Sequence, residues 1–315
     1  MNFSVVIPAY NAAATLRETI DSALAQTHKA QEILVFNDGS TDETDASLQS
    51  YGSAITVFTQ PNGGVARARN FMCARVTGDL VAFLDADDVW HPRYLEIQHR
   101  QLTAFPQAVA AFSDHTDLAG YGHYSPDPGL NAAVPQPTVY EPRNFISSYD
   151  ASPLRFQMSG CCVRRSVLET LGPEPFFVGA SGADDTYFHN LLPLLGPVVH
   201  AGIAPFAYRI ITSSISANRL KMALLVDAAL GALEEPYRQK GDLELLAAFK
   251  TMVASRKRNC GKYLMGAGQI ASAREKFHEG ARAASSPVSK AKSLSLLVAS
   301  HLPKVLQPKW PGGLR

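Results

Sequence analysis

Cysteine is scarce in this chain, which limits the role that disulfides and metal–thiolate sites can play. Its 315 residues include four cysteines, at positions 73, 161, 162 and 260. No pair shows the C-x-x-C spacing of zinc and redox sites, and adjacent cysteines rarely form a disulfide with each other. We therefore expect reduced thiols, as in a cytosolic protein.

Long uncharged apolar runs are also missing. No run reaches the length of a membrane span, and the first residues lack the basic start and apolar stretch of a signal peptide. These absences predict a cytoplasmic protein. Hydrophobic residues make up 46% of the chain and charged residues 18%, which is enough apolar material for one large core or two unequal domains. This composition excludes a disordered chain, collagen and a disulfide scaffold.

The charge is distributed unevenly, although the net charge is only +1. After Phe249 the chain has thirteen Lys and Arg residues and only Glu275 and Glu279 to oppose them, a net charge of +11. The preceding residues carry −10. Such asymmetry indicates an anionic partner for the tail, either a membrane surface or a nucleic acid. A solvated basic helical face explains the same pattern equally well.

Strand and helix signals alternate through the first hundred residues. Four short apolar runs read as strands, at 4–7, 33–36, 55–58 and 80–84. Two capping-box patterns, Thr15-x-x-Glu18 and Ser40-x-x-Glu43, predict helix starts between them. Nearly all-apolar strands that alternate with helices predict a parallel sheet covered by helices on both faces.

The regular alternation stops further along the chain. Five prolines in residues 114–144 predict a long loop, and strand and helix signals then return as far as about residue 210. From Leu220 onward the pattern is helical only. We therefore predict a boundary near residue 215, between an α/β domain at 1–215 and a basic helical extension at 216–315.

Polar residues follow three of the predicted strands. The clusters are Tyr10 and Asn11, Asn37 and Asp38, and Asp85, Asp87 and Asp88. In parallel sheets, ligands bind beyond the carboxyl ends of the strands, where these clusters would meet. Three such clusters around one crevice predict a ligand site more strongly than any one of them.

The acidic cluster points to a metal. Asp85, Asp87 and Asp88 place three carboxylates within four residues, and these repel each other unless a cation or strong donors neutralise them. Oxygen ligands suit Mg²⁺ or Mn²⁺, which use one or two carboxylates together with substrate phosphates. A helix N-terminus is the alternative explanation, because its dipole favours aspartate. That alternative accounts for Asp87 and Asp88 but poorly for Asp85.

Four segments together resemble the successive motifs of family 2 glycosyltransferases. They are S-V-V-I-P-A-Y-N at 4–11, N-D-G-S-T-D at 37–42, N-x-G-x-x-x-A-R-N at 62–70 and D-A-D-D at 85–88. The resemblance is specific over about residues 1–110, looser as far as 215, and absent from the helical tail. It implies the α/β fold called GT-A, a mainly parallel sheet with helices on both faces, followed here by a C-terminal helical extension.

The resemblance also implies a function. The enzyme would move a sugar, with inversion, from a nucleotide-diphospho-sugar to an acceptor hydroxyl, and UDP is the usual nucleotide of the family. Residues 1–110 would bind the nucleotide sugar, and 111–215 would form the acceptor side. Mn²⁺ or Mg²⁺ would be the cofactor, and cell-surface polysaccharide or glycolipid synthesis the setting. A nucleotide-sugar donor and a sugar or lipid-linked sugar acceptor would be its partners, with no nucleic acid.

Individual roles follow from positions that match the family's motifs. The implied nucleotide-binding residues are Pro8, Tyr10, Asn11, Asp38, Arg67, Arg69 and Asp85, and the implied metal residues are Asp87 and Asp88. Pro8 and Tyr10 match contacts to the nucleobase, Asp38 a contact to base or ribose, and Asp85 a position by the ribose. Ordinary structural roles remain open for some: Tyr10 as a core-edge aromatic, Arg67 as a solvated helix residue, and Asp38 in an Asx turn.

An inverting transfer needs a base for the acceptor hydroxyl. The family places Glu-Asp at the start of a later helix, and Asp184-Asp185 occupies that place here. The resemblance implies that Asp185 is the base and Asp184 stands for the usual Glu, although adjacent acids leave the assignment open by one residue. Two acids at a helix start are also common without any catalytic role. A further pair, Tyr208-Arg209, matches one that the resemblance places near phosphate.

The last part of the tail is both apolar and basic. Residues 288–306 combine leucines with lysines, and Trp310 follows, as in a helix that lies on an anionic membrane. Such a tail predicts a peripheral position on the inner face of the membrane. The alternative is that its leucines pack on the catalytic domain or on a second subunit.

Three rival functions were compared with the sequence. A dehydrogenase or a nucleotidylyltransferase would have a glycine-rich loop after the first strand, and this sequence has none there. A catalytically inactive scaffold that binds nucleotide stays open.

Overall fold

The computed structural model describes residues 1–126, 136–151, 156–211, 217–303 and 307–311. The strands within these ranges are Phe3–Ala9 (β1), Glu32–Asn37 (β2), Thr56–Thr59 (β3), Leu80–Phe83 (β4), Val89–Trp90 (β5), Ala110–Phe112 (β6), Thr116–Ala119 (β7), Thr138–Tyr140 (β8), Cys161–Arg164 (β9), Val198–His200 (β10) and Phe206–Ile210 (β11). The four strands expected in the first hundred residues are β1 to β4, each within two residues of its predicted ends.

The described strands form two sheets. The larger has the order β3-β2-β1-β4-β9-β6-β10-β8, and the smaller the order β5-β11-β7. Strands β1 to β4 pair in parallel, as do β6 and β10, whereas β9 runs antiparallel to both of its neighbours. The carboxyl ends of β1, β2 and β4 therefore lie at one edge of the sheet, where the three polar clusters begin.

The described helices cover both faces of the larger sheet, except for the last two, which pack on other helices. The helices are Leu16–Leu24 (α1), Thr44–Gln49 (α2), Val65–Cys73 (α3), Tyr94–Ala104 (α4), Pro142–Ala151 (α5), Arg165–Leu171 (α6), Asp184–Leu191 (α7), Arg219–Ala232 (α8), Glu234–Gln239 (α9), Leu243–Gly266 (α10), Ile270–Ala283 (α11) and Pro287–Ala299 (α12). This architecture is the predicted α/β fold with a C-terminal helical region.

Alternation along the strands divides the core in two. In β1, Val5 and Ile7 pack with α1 and α4 on one face of the sheet, while Val6 packs with α3 and α7 on the other. Phe249 of α10 joins the second core together with Leu230 of α8. Helices α8 and α10 of the C-terminal region therefore pack into the core of the sheet. The boundary predicted near residue 215 falls outside the described residues.

Of the two predicted helix starts, the first was right and the second wrong. Thr15 is the N-cap of α1, although its side chain makes no cap hydrogen bond and its hydroxyl donates to the carbonyl of Ala86 at 2.9 Å. Ser40 does not begin a helix, since α2 starts at Thr44 and the Ser40 hydroxyl accepts from the amide of Asn11. The long loop predicted at 114–144 contains β7, β8 and the first residues of α5, and residues 127–135 lie outside the described part.

The tail is helical through α12. Leu296 and Leu297 pack, with Trp310, against Phe277 of α11, so part of the apolar sequence does contact the protein itself. The expected helix at 288–306 ends at Ala299, and residues 304–306 are not described. Among the described helices, none has the length and apolar character required to cross a membrane.

Candidate active site

The end of β1 is tied to the segment that follows β2. Asn11 has a φ of 47°, a left-handed conformation that asparagine tolerates better than most residues. Its side-chain oxygen accepts from the amide of Thr41 at 2.8 Å, and its own amide donates to Ser40. Tyr10 beside it is 52% exposed, and Pro8 is buried in β1. The tyrosine ring is thus presented to solvent at the carboxyl edge of the sheet.

Asp38 holds a glycine turn. Its carboxylate oxygens accept from the amides of Gly63 and Gly64 at 2.8 and 2.9 Å, and the residue is buried. Gly64 has a φ of +89°, and a Cβ there would lie 2.5 Å from the hydroxyl of Ser181. Only glycine fits this position, because both the backbone conformation and the space exclude a side chain. The Asp38 carboxylate is thereby fixed next to the start of α3.

The two arginines of α3 differ in their surroundings. Arg67 is exposed and its side chain lies over Gly63. Arg69 is buried, and its guanidinium donates to Asp85 and, at 2.5 Å, to Asp184. These carboxylates raise the pKa of Arg69 against the effect of its burial. One buried cation therefore connects the acidic segment after β4 with the start of α7.

Ser159 and Arg209 hold the acidic segment in place. The Ser159 hydroxyl accepts from the amide of Asp85 at 3.0 Å and donates to Asp88 at 2.5 Å. The second oxygen of Asp88 accepts from the amide of Arg209, and Asp88 is only 1% exposed. Burial, with Asp87 beside it, raises the pKa of Asp88. Asp88, predicted as a metal residue, thus makes its described contacts inside the protein.

The Arg209 side chain makes hydrogen bonds to several groups inside the protein. Its guanidinium donates to the carbonyls of Asp87, Gly120 and Gly122 and to the carboxylate of Glu18, at 2.6 to 3.0 Å. Arg209 is buried. In the structure Arg209 joins α1, β11 and the acidic segment. The place near phosphate that the family resemblance implies for it stays a prediction.

The carboxyl group of Asp87, like that of Asp88, has a raised pKa. Burial, followed by the charge of Asp85, raises its pKa to about 6. Within the described ranges no group of three or more His, Cys, Asp or Glu residues could hold a metal. Mg²⁺ and Mn²⁺ need only one or two carboxylates when substrate phosphates complete the set. Asp85 and Asp87 fit that donor set, and a cation would relieve their mutual repulsion.

Asp184 and Asp185 begin α7 but face different partners. Asp184 is buried and accepts from Arg69 and from the amide of Gly182. Burial, and then the charge of Asp184, raises the pKa of Asp185 to about 6. Asp185 lines a cavity of about 210 Å³. The other lining residues are Tyr149, Phe156, Gln157, Thr186, Val226 and Arg256. Of the two acids, Asp185 is the one that lines this cavity.

Sequence reasoning missed several of these residues. Ser159 and Ser181 belong to no motif, and Glu18 belongs only to a capping-box pattern. Each bonds to a partner more than 60 positions away in the chain. A linear pattern does not reveal such pairs, because the two partners meet only in the folded chain. Val226 and Arg256 were likewise assigned only to the helical tail.

The chain belongs to Glycosyl transferase family 2, whose profile matches residues 4–172. It is 45% and 46% identical to two uncharacterised Rickettsia glycosyltransferases over 95 residues, and spans 30% of the length of each. It is 39% identical over 114 residues to the putative teichuronic acid biosynthesis glycosyltransferase TuaG of Bacillus subtilis, covering 35% of this chain and 44% of TuaG.

Solved structures confirm the fold. TarS 1–349 of S. aureus in complex with UDP-GlcNAc matches 95% of this chain and 90% of its own, with a TM-score of 0.68 and 17% identity. The mannosyltransferase PcManGT of Pyrobaculum calidifontis, in complex with GDP-Man and Mn²⁺, matches 97% and 81%, with a TM-score of 0.55 and 20% identity. The predicted family and the GT-A fold are both confirmed.

Proposed function

We propose that this chain is an inverting glycosyltransferase that moves a sugar from a nucleotide-diphospho-sugar to an acceptor hydroxyl. The observation that carries the proposal is the double ion pair of Arg69. It joins Asp85, on the nucleotide side, to Asp184, which precedes the candidate base Asp185. Family membership and the nucleotide-sugar complexes of the structural neighbours support the same reaction class.

The nucleotide would bind at the carboxyl ends of β1 and β2. The exposed ring of Tyr10, above buried Pro8, offers a surface on which a base can stack. Asn11 and Asp38 border that surface and are held rigid by backbone amides. Exposed Arg67 supplies a positive charge at the same edge. UDP is proposed as the nucleotide because it is the usual one in the family.

Asp87, with Asp85 beside it, would hold Mn²⁺ or Mg²⁺. The bound ion would neutralise charge on the diphosphate as it leaves. For Asp88 we propose an anchoring role, because both of its oxygens accept hydrogen bonds from Ser159 and Arg209. Arg69 would hold Asp85 in position through its ion pairs with Asp85 and Asp184.

Asp185 would act as the base. The acceptor oxygen attacks the anomeric carbon, the bond from that carbon to the phosphate oxygen breaks, and the hydroxyl proton passes to the Asp185 carboxylate. A pKa of about 6 keeps Asp185 ionised at neutral pH yet basic enough to accept a proton. Asp184 would orient α7 through Arg69 and the Gly182 amide.

The acceptor would enter the cavity beside Asp185. We propose residues 1–110 as the nucleotide-sugar half, 111–215 as the acceptor half, and 216–315 as a helical extension that also serves the acceptor. Val226 of α8 and Arg256 of α10 line the cavity, which supports that last role. A sugar or lipid-linked sugar in cell-surface polysaccharide synthesis is the proposed acceptor, supported by the likeness to TuaG.

A thermal-shift panel tests the donor site. UDP-, GDP- and dTDP-sugars are added to the protein with and without Mn²⁺, and the matched control is Asp87→Asn. We expect at least one donor to raise the Tm of the wild type in a Mn²⁺-dependent way, and the variant to lose that dependence. A panel in which no donor stabilises the protein would refute the donor site. Stabilisation without any release of nucleoside diphosphate would favour the inactive scaffold.

A further inference from the structure

Helix α12 turns buried serines toward the protein and a row of aliphatic side chains toward solvent, while Leu296 and Leu297 pack inward. Three of its inward positions are buried serines, Ser289, Ser293 and, just past its end, Ser300. Val288 and Val298 are 66% and 64% exposed. A helix that rests on a water-soluble protein usually presents polar residues on its outer face, so this exposed aliphatic row departs from the usual pattern.

The inward serines have specific partners. The Arg258 guanidinium donates to the hydroxyls of Ser289 and Ser293 at 3.0 and 3.3 Å, and Arg274 donates to the carbonyl and hydroxyl of Ser300. Gly280 of α11 faces Ser293, where an added Cβ would lie 3.2 Å from the serine hydroxyl. These contacts fix the rotation of α12, so its outward face is set by the fold.

The outward face is an aliphatic stripe, which we define as Val288, Ala291, Leu294, Val298 and Leu302. All five are exposed. At about 100° of rotation per residue, these positions fall within one third of the helix circumference if the helical angle is continued to Leu302.

Lysines border the aliphatic stripe. On the same helical wheel, Lys290 falls on one side of the stripe and Lys292 on the other, and both are exposed. Long lysine side chains in such positions can reach past an apolar surface to anionic groups above it.

The surrounding chain is basic. After Glu279 the sequence contains no Asp or Glu, and it contains six basic residues, Arg282, Lys290, Lys292, Lys304, Lys309 and Arg315. A second copy of this face would bring like charges together, which disfavours self-association. An anionic surface with an apolar interior complements both features, since lysines pair with headgroups while aliphatic side chains enter the acyl boundary.

We infer that the aliphatic stripe of α12 is a membrane-docking surface that binds bilayers containing anionic phospholipid. Docking requires no opening of the fold, because the stripe is already exposed and the serines stay with Arg258 and Arg274. The inference rests on the proposed function only for its purpose, which is to bring the enzyme to a lipid-linked acceptor. Vesicle binding itself needs no sugar transfer.

Flotation of the full chain with defined vesicles tests the inference. One set of vesicles contains phosphatidylcholine alone. The other also contains about 30% phosphatidylglycerol, which gives roughly the charge density of an anionic leaflet. Leu294→Ser/Val298→Ser removes apolar contact, and Lys290→Gln/Lys292→Gln removes charge. The matched control is Leu243→Ser at the start of α10, an aliphatic residue that is 80% exposed. Circular dichroism checks that each variant folds, and light scattering gives its mass.

We expect the wild type and Leu243→Ser to float with anionic vesicles, and each double variant to lose about tenfold in partitioning or more. Added salt should weaken binding of the wild type but have less effect on the lysine variant. Failure of the wild type to bind anionic vesicles, or equal binding by Leu294→Ser/Val298→Ser, would overturn the inference. So would a wild-type dimer that this variant converts to a monomer without any vesicle binding. Vesicle binding in a protein that releases no nucleoside diphosphate would sink only the proposed function.

Discussion

At the scale of single residues, the candidate site stores electrostatic strain. Asp87 and Asp185 each have a pKa raised to about 6, with burial as the largest cause and an adjacent acid next. Buried Arg69 offsets part of this strain through Asp85 and Asp184. Buried acids with raised pKa values are typical of functional sites. A protein without such a site would be more stable if these acids were replaced.

This strain predicts a pH-dependent gain of stability on replacing Asp185 by asparagine. A free aspartate titrates near pH 3.9, so between about pH 4 and 6 the folded protein holds a proton on Asp185 that the unfolded chain has released. The Asp185 contribution to stability therefore falls as the pH rises through this window. Asp185→Asn should raise the Tm of the ligand-free protein at pH 8 and change it little at pH 4.

Thermal denaturation of both proteins across this pH range checks the prediction. Asparagine can still accept from the Thr186 amide, which bonds to the Asp185 carboxylate at 2.6 Å. A Tm difference that does not change with pH would contradict the raised pKa. A variant less stable than the wild type at pH 8 would contradict it as well.

At the scale of elements, strands could be predicted from sequence better than helix ends. The apolar runs of β1, β2 and β4 are buried on both faces and leave little alternative. The polar clusters that follow them meet at one sheet edge for the same topological reason. Helix ends depend on which partner a side chain finds. Thr15 and Glu18 form a capping-box pattern, yet bond to Ala86 and Arg209, 71 and 191 positions away.

The outward face of α12 also could not be read from sequence. Leucine and valine occupy positions 294 and 296 to 298, so no single side of the helix is marked as apolar. Contacts of Arg258 and Arg274 with serines decide its rotation. Distant partners also determine the conformation of the acidic segment, in which Asp88 accepts a hydrogen bond from Ser159, 71 positions away.

The glycine turn held by Asp38 gives a prediction for one element. Gly64→Ala should lower the free energy of unfolding by about 1–3 kcal/mol, because a φ of +89° is strained for alanine and the Cβ would meet Ser181. Gly231→Ala is the matched control. It lies inside α8 with no atom within 4 Å of an added Cβ, so it should raise stability by about 0.5–1 kcal/mol. Urea denaturation compares them, and equal effects of the two substitutions would contradict this account of Gly64.

At the scale of the whole molecule, the helical extension shares a core with the sheet. Phe249 of α10 is buried and stacks on Tyr237 of α9, with ring centroids 3.9 Å apart. Leu230 of α8 lies in the same core as Phe83 of β4. The extension also lines the cavity at Asp185. Core and cavity together tie the stability of the tail to the candidate site.

Phe249→Ala should therefore destabilise the whole molecule. Truncating a buried phenylalanine costs about 3–5 kcal/mol, whereas Leu243→Ala, on the exposed start of α10, should change stability by about 0.5 kcal/mol or less. Urea unfolding followed by near-UV and far-UV circular dichroism should give one coincident transition for the wild type. An early, separate loss of helix that leaves the near-UV signal intact would show that the extension folds apart from the sheet.

Release of nucleoside diphosphate from a donor sugar tests the central claim most directly. A donor that stabilises the protein is supplied with Mn²⁺, first with water alone and then with candidate acceptors, to the wild type and to Asp185→Asn. We predict release by the wild type, a loss of roughly 10²–10⁴-fold in the variant, and unchanged Mn²⁺-dependent donor binding. Equal release by both proteins would contradict the role of Asp185, and no release by the wild type would contradict the proposed transfer.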